Sequence, residues 1–271
     1  MQELDHWTEV DRIRPQVAFI TNPTALHIET ALQCARRGMA IFIEKPLGGC
    51  GPGLEELMDI VRRQKVVTYV AYVLRFHPVI LKLKEMMGEQ TCWHMQVEAA
   101  SFLPTWRPGR DHTKSYSARR DLGGGVIFDL SHEIDYVHFL LGQVQRINGH
   151  CYRRGNVTVD AEDCADMLIH CPRGVANVHL SFLSHHHRRS IRLCFAERTI
   201  TADLLANTIH VYQHDHCTEA FTLPIERDAL FEKQMDFFWS NVHNPAMMNN
   251  VLEAADLFKK ICDFREQQDV R

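Results

Sequence analysis

The sequence predicts a two-part fold: an α/β half with a short parallel sheet, followed by an α+β half with a large, mostly antiparallel sheet flanked by helices. Two observations predict it. Over residues 1–90, short apolar runs alternate with segments of helical periodicity, which is typical of parallel strands joined by crossover helices. Over residues 143–223, one strand pattern follows another. We therefore expect one domain over 1–90 and a second over 91–271.

The first half is expected to contain three strands and three helices. Thr24 is a typical N-cap for the first helix, and Gly38 is a typical residue to close it. In the second helix, Leu54, Leu57 and Val61 recur at helical spacing. The predicted strands are 17–20, 40–43 and 66–70, and the predicted helices are 24–37, 54–64 and 78–87.

The second half is expected to begin with a long strand over 92–102 and a polar, arginine-rich loop over 103–122. A helix over 126–141 follows, with an apolar stripe along one face. The remaining predicted strands are 146–153, 161–171, 174–183, 190–195, 208–213 and 219–223, and the closing helices are 227–242 and 248–267.

Composition and charge exclude several classes of protein. The chain of 271 residues has a net charge of -4, which provides no electrostatic surface for nucleic acid. Its nine cysteines form no Cys-x-x-Cys motif, so we expect neither a disulfide framework nor a zinc ribbon, and a cytoplasmic location. The longest apolar run, 66–74, is too short to cross a bilayer, and residues 1–11 lack the apolar core of a signal peptide.

Glu44, Lys45 and Pro46 directly follow the apolar strand 40–43 and form the most informative motif of the chain. Proline ends the strand because it has no N–H for the ladder. The lysine is therefore expected at the carboxyl edge of the sheet, where open α/β sheets bind their ligands.

The predicted helix 126–141 carries a second group of candidate catalytic residues. Asp129, His132, Glu133 and Tyr136 recur at the spacing of one helix face. A carboxylate one turn before a histidine can orient the ring and stabilise its charged form. The alternative interpretation is that these residues form the solvent-facing side of an amphipathic helix.

Four blocks of residues occur in a recognisable order along the chain. They are Thr21-Asn22-Pro23 with His27, Glu44-Lys45-Pro46, Tyr72 with Arg75-Phe76 and Pro78, and Gly123-Gly124-Gly125 followed by Asp129, His132 and Asp135. Taken together, these blocks resemble the glucose–fructose oxidoreductase and inositol dehydrogenase family, Gfo/Idh/MocA. The segments 106–111 and 115–118 are similar to one sugar-processing branch of that family.

The resemblance implies an NAD(P)-dependent oxidoreductase that moves a hydride between nicotinamide and a secondary alcohol of a sugar or polyol. Lys45 would lie between nicotinamide and substrate and stabilise developing negative charge. His132 would take the hydroxyl proton, and Asp129 would hold His132 or a substrate hydroxyl. Many members place this acid four residues before the histidine, whereas the gap here is three.

The resemblance also implies two sets of binding residues. A polar sugar, either neutral or anionic, would be held by cationic and phenolic side chains, which are Arg75, Arg107, Arg110 and Tyr116. The cofactor would be bound by residues that follow the first two strands, which are Thr21, Asn22, Pro23, His27, Glu44, Lys45 and Pro46. No metal is expected. We expect a small-molecule sugar-like substrate, a homo-oligomer, and neither nucleic acid nor membrane as a partner.

One departure concerns the phosphate-binding half of the cofactor site. A dinucleotide-binding fold opens with a strand, a Gly-x-Gly-x-x-Gly turn and a helix. Residues 1–16 contain no glycine, and the glycines of 48–53 do not match that spacing. The expected fold is thus a truncated Rossmann-like sheet. Either the sequence is an incomplete version of an active enzyme, or the natural chain binds NAD or NADP weakly.

Two other function classes stay open. One is a non-catalytic sugar-binding or scaffold homologue whose large sheet serves as an oligomer interface. The other is a metal-dependent hydrolase that uses His185, His186 and His187. Consecutive side chains on a strand point to opposite faces, so three such histidines cannot readily chelate one ion. We expect this segment to be a solvated or substrate-facing hairpin tip.

Overall fold

A computed structural model describes residues 6–155 and 157–268 of the chain. The helices are α1 (Trp7–Ile13), α2 (His27–Arg36), α3 (Leu54–Gln64), α4 (Pro78–Met87), α5 (Val126–Asp129), α6 (Ser131–Leu141), α7 (Arg227–Ser240) and α8 (Val251–Glu266). The strands are β1 (Val17–Ile20), β2 (Ala40–Ile43), β3 (Thr68–Val70), β4 (His94–Phe102), β5 (Arg146–Tyr152), β6 (Cys164–Cys171), β7 (Gly174–Ser181), β8 (Leu183–Cys194), β9 (Thr199–Asp203), β10 (Thr208–Gln213) and β11 (His216–Thr222).

The first sheet is parallel and has the order β1-β2-β3. All four residues of β2 are buried, as the apolar run predicts. Helices α2 and α3 cover one face, where Ile41 and Ile43 join the main core. The predicted α/β half is confirmed, and its strands bring their carboxyl ends to one edge.

The second sheet has eight strands in the order β11-β10-β9-β8-β4-β7-β6-β5. Every neighbouring pair is antiparallel except β4 and β7, which are parallel. Helices α5 and α6 pack against β4, β6 and β7. The predicted large, mostly antiparallel sheet with flanking helices is confirmed.

Strand β8 differs most from the sequence-based expectation. The histidine-rich segment belongs to this twelve-residue strand, not to a hairpin tip, and β9 was not predicted at all. The cause is pairing with β4, in which Ala99 lies opposite Arg189 and Ala100 lies opposite Arg188. Tertiary pairing therefore overrides the polar composition of the segment.

The predicted helix 126–141 is interrupted at Leu130, whose backbone leaves helical geometry at φ -98° and ψ 29°. The side chains of Glu133, Asp135 and Tyr136 are fully buried. The interpretation of this face as the solvent-facing side of an amphipathic helix is therefore wrong. Glu133 is paired with Arg189, whereas Nδ1 of His132 and the hydroxyl of Tyr136 are buried without a hydrogen-bond partner among the described residues.

The carboxyl-terminal helices return to the first sheet. Phe238 of α7 packs edge-on against Phe42 at 5.4 Å between ring centroids. At the start of α8, the backbone N–H of Val251 donates to Oγ1 of Thr68 at 3.0 Å. The chain thus contacts its first sheet again at its far end, and the expected boundary at residue 90 stays a prediction.

Cys50 and Cys262 form a disulfide across a sequence separation of 212 residues. The sequence predicted no disulfide framework, and this pair was therefore not expected. Sequence spacing carries no signal for it, because only the packing of α3 beside α8 brings the two segments together. Among the helices of the described residues, none is both long enough and apolar enough to span a membrane.

Candidate active site

A cleft of about 860 Å³ lies between the two sheets. Its floor includes Lys45, just beyond the carboxyl end of β2, and His132, in the first turn of α6. Segments of β4 and β8 form the opposite wall. The structure thus brings the two main sequence-predicted residues into one cavity, of a volume typical of small-molecule sites.

Lys45 is anchored by the backbone at the end of α5. Its Nζ donates to the backbone carbonyl oxygen of Asp129 at 2.6 Å. Burial lowers the pKa of the lysine, while the charges of Asp129 and Glu133 oppose that shift. An ammonium has three donors, so this anchor leaves others for a ligand in the cleft.

His132 is held as a neutral ring. Burial lowers its pKa well below the usual value, and the nearby charges of Lys45 and Arg189 lower it further. The ring meets Tyr72 edge-on at 5.7 Å between centroids. Its Nδ1 is buried and has no hydrogen-bond partner among the residues that the structure describes. An unprotonated imidazole in this position is suited to accept a proton.

The carboxylate of Asp129 lies beside Tyr116. Burial, together with this carboxylate, raises the pKa of the Tyr116 phenol. Within the described part of the chain, no hydrogen bond joins Asp129 to His132, and Oδ2 of Asp129 is buried without a partner. The break at Leu130 explains this, because the two residues do not share one continuous helix face.

The predicted cofactor-binding residues cluster at the carboxyl ends of β1 and β2. The His27 ring bridges two turns there: Nδ1 lies 2.9 Å from the carbonyl oxygen of Pro46, and Nε2 lies 2.9 Å from that of Asn22. Nδ2 of Asn22 donates to Oγ1 of Thr30 at 2.9 Å. His27 thus braces the turn at 21–23 against the turn at 44–46.

Two features of this edge fit the nicotinamide end of a cofactor. Oδ1 of Asn22 is buried with no partner among residues 6–155 and 157–268, so it can accept from an amide group. Burial raises the pKa of Glu44, which follows β2 directly. Together with Lys45, the free amide oxygen of Asn22 and the carboxylate of Glu44 place polar atoms at the edge where parallel sheets bind their ligands.

The predicted substrate-binding residues are not all in one place. Arg107 lines the cleft, and its guanidinium carbon lies 5.6 Å from the ring centroid of Tyr116. Arg110 lines a neighbouring cavity. Arg75 does not line the cleft, because its buried guanidinium is bound by the carboxylates of Asp135 and Glu253.

Arg189 is a site residue that the sequence did not reveal. It lines the cleft, and its Nε donates to Oε1 of Glu133 at 2.6 Å. Glu133 is fully buried, so this carboxylate fixes the guanidinium beside the cavity. The pair is 56 positions apart in sequence and meets only because β8 pairs with β4. The doublet Arg188-Arg189 was the only signal, and it resembled other arginine pairs of the chain.

The cleft is rich in cationic and basic side chains. Lys45, Arg107 and Arg189 line it together with His132, and Asp129 is its acidic member. Such a cavity can bind a hydroxylated ligand, orient one hydroxyl at Lys45 and accept a proton at His132. Among the described residues, no group of three or more histidine, cysteine or acidic side chains is arranged to hold a metal ion.

Comparison with known families gives two matches. Residues 1–72 match the family model described as an oxidoreductase family with an NAD-binding Rossmann fold. Residues 90–201 match the model described as the GFO/IDH/MocA C-terminal domain. The two matches cover the sheet edge with Lys45 and the helix with His132. The predicted lack of the phosphate-binding glycines is not tested by them and stays a prediction.

Curated relatives include sugar dehydrogenases. Levoglucosan dehydrogenase from Pseudarthrobacter phenanthrenivorans is 27% identical over 49% of this chain and 34% of that enzyme's length. UDP-N-acetylglucosamine 3-dehydrogenase from Acidithiobacillus ferrooxidans is 26% identical over 86% of this chain and 72% of that enzyme. In the first of these alignments, the chain thus spans only about a third of the relative's length.

Solved structures share the fold. A levoglucosan dehydrogenase in complex with NADH superposes with a TM-score of 0.79 at 17% identity, over 93% of this chain and 78% of that one. At such identity the likeness shows the fold alone. The fold and the two domain matches agree on one assignment. The chain belongs to the Gfo/Idh/MocA family of oxidoreductases.

Proposed function

We propose that this chain is an NAD(P)-dependent oxidoreductase that transfers a hydride between nicotinamide and a secondary alcohol of a sugar or polyol. One observation carries the proposal: Lys45 and His132 line the same cleft, and Nδ1 of His132 is buried there without a partner in the described chain. The same observation argues against a non-catalytic scaffold, in which no such pair is needed.

Lys45 and His132 have complementary roles in this proposal. When bound beside Lys45, a nicotinamide would supply the hydride acceptor for oxidation and the hydride donor for reduction. Lys45 orients the reacting hydroxyl and stabilises negative charge on its oxygen. His132 takes the hydroxyl proton during oxidation and returns it during reduction. Burial, followed by the charges of Lys45 and Arg189, lowers the pKa of His132 and favours the neutral imidazole that accepts this proton.

Other residues position these two groups. The backbone carbonyl of Asp129 holds Lys45, and the Asp129 carboxylate remains available to a substrate hydroxyl. Arg107 forms a further wall for a polar substrate, and the ring of Tyr116, which is not part of the cleft lining, lies beside its guanidinium. We leave Arg75 out of the substrate-binding set, because Asp135 and Glu253 already occupy its donors.

The cofactor would be held at its nicotinamide end by the residues that follow β1 and β2, where Oδ1 of Asn22 is buried without a partner in the described chain. Weak binding of the cofactor and the choice between NAD and NADP remain predictions. The substrate class rests on family membership and on relatives named as sugar dehydrogenases. Assembly as a homo-oligomer is a further prediction, which light scattering after size-exclusion chromatography tests.

Cofactor binding and turnover are measured separately. NADH and NADPH are titrated by fluorescence, and absorbance at 340 nm follows the oxidation of a panel of sugars, polyols and sugar phosphates. His132→Asn should bind NADH like the wild type and lose at least about a hundredfold in turnover, since general-base catalysis contributes that much. Absence of binding at millimolar cofactor, or full turnover by His132→Asn, would contradict the proposal.

A further inference from the structure

A second cavity of about 380 Å³ lies beside the cleft and is formed by the segment 103–117. Trp106 and Arg107 line both cavities, so the two share a wall. The cation of Arg107 lies at this shared wall, near the ring of Tyr116. A ligand that presents a hydroxyl to Lys45 could therefore extend past Arg107 into this side cavity.

The side cavity carries more positive than negative charge. Arg107, Arg110 and Lys114 line it, and Asp111 is its one carboxylate. Within residues 6–155 and 157–268, none of these three cations forms a salt bridge. Asp111 forms no salt bridge with these cations among the described residues, and its Oδ1 accepts from the backbone N–H and the hydroxyl of Thr113.

The segment that forms the side cavity is held in place by hydrogen bonds within it and by contacts with Ser101 and Phe182. Nε1 of Trp106 donates to Oγ of Ser101 at 2.9 Å, and the indole packs edge-on against Phe182 at 5.3 Å. Oγ of Ser115 donates to the carbonyl oxygen of His112 at 2.6 Å. Preorganised walls lower the entropic cost of binding.

An unpartnered nitrogen adds a second, independent observation. Nε2 of His112 is buried and has no hydrogen-bond partner within the described part of the chain. The same residue lines the side cavity. A histidine nitrogen can donate to an anionic oxygen, and the neighbouring arginines can form paired hydrogen bonds to one.

We propose that the side cavity binds a phosphate or diphosphate group of the substrate, whose sugar hydroxyl reacts at Lys45 and His132. The reaction of the sugar hydroxyl at Lys45 and His132 rests on the proposed function, whereas binding of the anionic group does not. Three cationic side chains and one carboxylate give the cavity lining a positive net charge. Such a lining binds a multiply charged anion better than a neutral sugar or a ligand with a single carboxylate. Arginine forks suit the geometry of phosphate oxygens.

The test uses inorganic pyrophosphate and the full chain in isothermal titration calorimetry. The double variant Arg110→Gln/Lys114→Gln removes two of the cations. Arg63→Gln/Arg146→Gln is the charge-matched control, since both of its residues are exposed and outside the cavity. The dissociation constant should rise at least about tenfold in the first variant and stay within about twofold in the control.

Arg107→Gln serves as a second, independent variant, and circular dichroism checks that each variant is folded. Equal pyrophosphate binding by the wild type and the cavity variants would overturn the proposal, as would no binding to the wild type at millimolar concentration. Tighter binding of glucuronate than of glucose 1-phosphate would overturn the assignment to phosphate in favour of a carboxylate.

The two proposals fail in distinguishable ways. Pyrophosphate binding needs neither cofactor nor turnover, so it supports the anion site even if NADH does not bind. The opposite outcome is that the chain oxidises neutral sugars, while Arg110→Gln/Lys114→Gln changes neither its turnover nor its pyrophosphate binding. That result would support the dehydrogenase function and contradict the anion site. NADH fluorescence titration of the double variant should match that of the wild type.

Discussion

The substitution Arg75→Met tests the buried ion pair that replaces the expected substrate contact. The side chains of Arg75 and Asp135 are each 2% exposed, and three hydrogen bonds of 2.7–3.2 Å join them. A fourth, of 2.8 Å, joins Arg75 to Glu253 of α8. Removing one partner of a buried pair leaves an uncompensated charge and costs about 3–5 kcal/mol.

Urea unfolding of the full chain, followed by circular dichroism, measures this free energy. The matched control is Arg36→Met, which removes an exposed pair with Glu56 whose side chains are 46% and 51% exposed. That change should cost less than about 1 kcal/mol. A loss in Arg75→Met no larger than in Arg36→Met would refute the account of Arg75 as a structural cation.

The pH dependence of the Arg75→Met deficit provides a check on the mechanism. Burial already raises the pKa of Asp135, and Arg75 opposes that shift. Without Arg75, the folded-state pKa rises further above the unfolded value. The unpaired carboxyl then favours its protonated form, so the deficit should shrink as pH falls. In Arg75→Met/Asp135→Leu, the loss should be smaller than the sum of the two single changes.

Three further predictions follow from the site. Arg189→Met should raise the pKa of His132, so the acid limb of kcat/KM for alcohol oxidation moves to higher pH. Burial lowers the pKa of His77 to about 4, and its Nδ1 accepts the Val79 N–H only when the ring is neutral. The free energy of unfolding, measured by urea titration, should therefore fall by about 2–3 kcal/mol from pH 6.5 to pH 4. The fall should be smaller in His77→Asn. Gly124→Ala would overlap a backbone oxygen and should cost about 1–3 kcal/mol in thermal unfolding.

Each of these has a control and a contradicting result. Arg192→Met lies on the same strand but outside the cleft, and an acid limb that moves equally in both variants would exclude the charge effect. An acid-stability curve unchanged by His77→Asn would mean that another group titrates. At Gly51, an added Cβ would lie no closer than 4.0 Å to any residue beyond its chain neighbours, at the carbonyl oxygen of Gly49, so an equal loss in Gly51→Ala would exclude overlap as the cause at Gly124.

The local pattern was sufficient to predict the sheet edge with Lys45. A short apolar run followed by proline defines where β2 ends, and the observed bounds Ala40–Ile43 agree with the prediction. His132 was likewise identified from its spacing and the family resemblance. In both cases the information lies within a few residues of sequence.

The partners of the charged residues could not be predicted, because they come from distant segments. Glu133 meets Arg189 through the pairing of β4 with β8, and Arg75 meets Glu253 across 178 positions. The break at Leu130 was missed because apolar periodicity continues through it. Sequence therefore identifies which residues carry charge, while tertiary packing decides which of them face the cleft.

A double-mutant cycle on turnover tests most directly whether Lys45 and His132 act on one substrate hydroxyl. Lys45→Met, His132→Asn and the double variant are compared at 340 nm with the best substrate of the panel, after NADH titration of each. Residues that act as a unit show non-additive losses, so the double variant should be little slower than the slower single variant. Near-wild-type turnover in either single variant would contradict the shared reaction centre. A fold-loss in the double variant equal to the product of the two single fold-losses would contradict it as well.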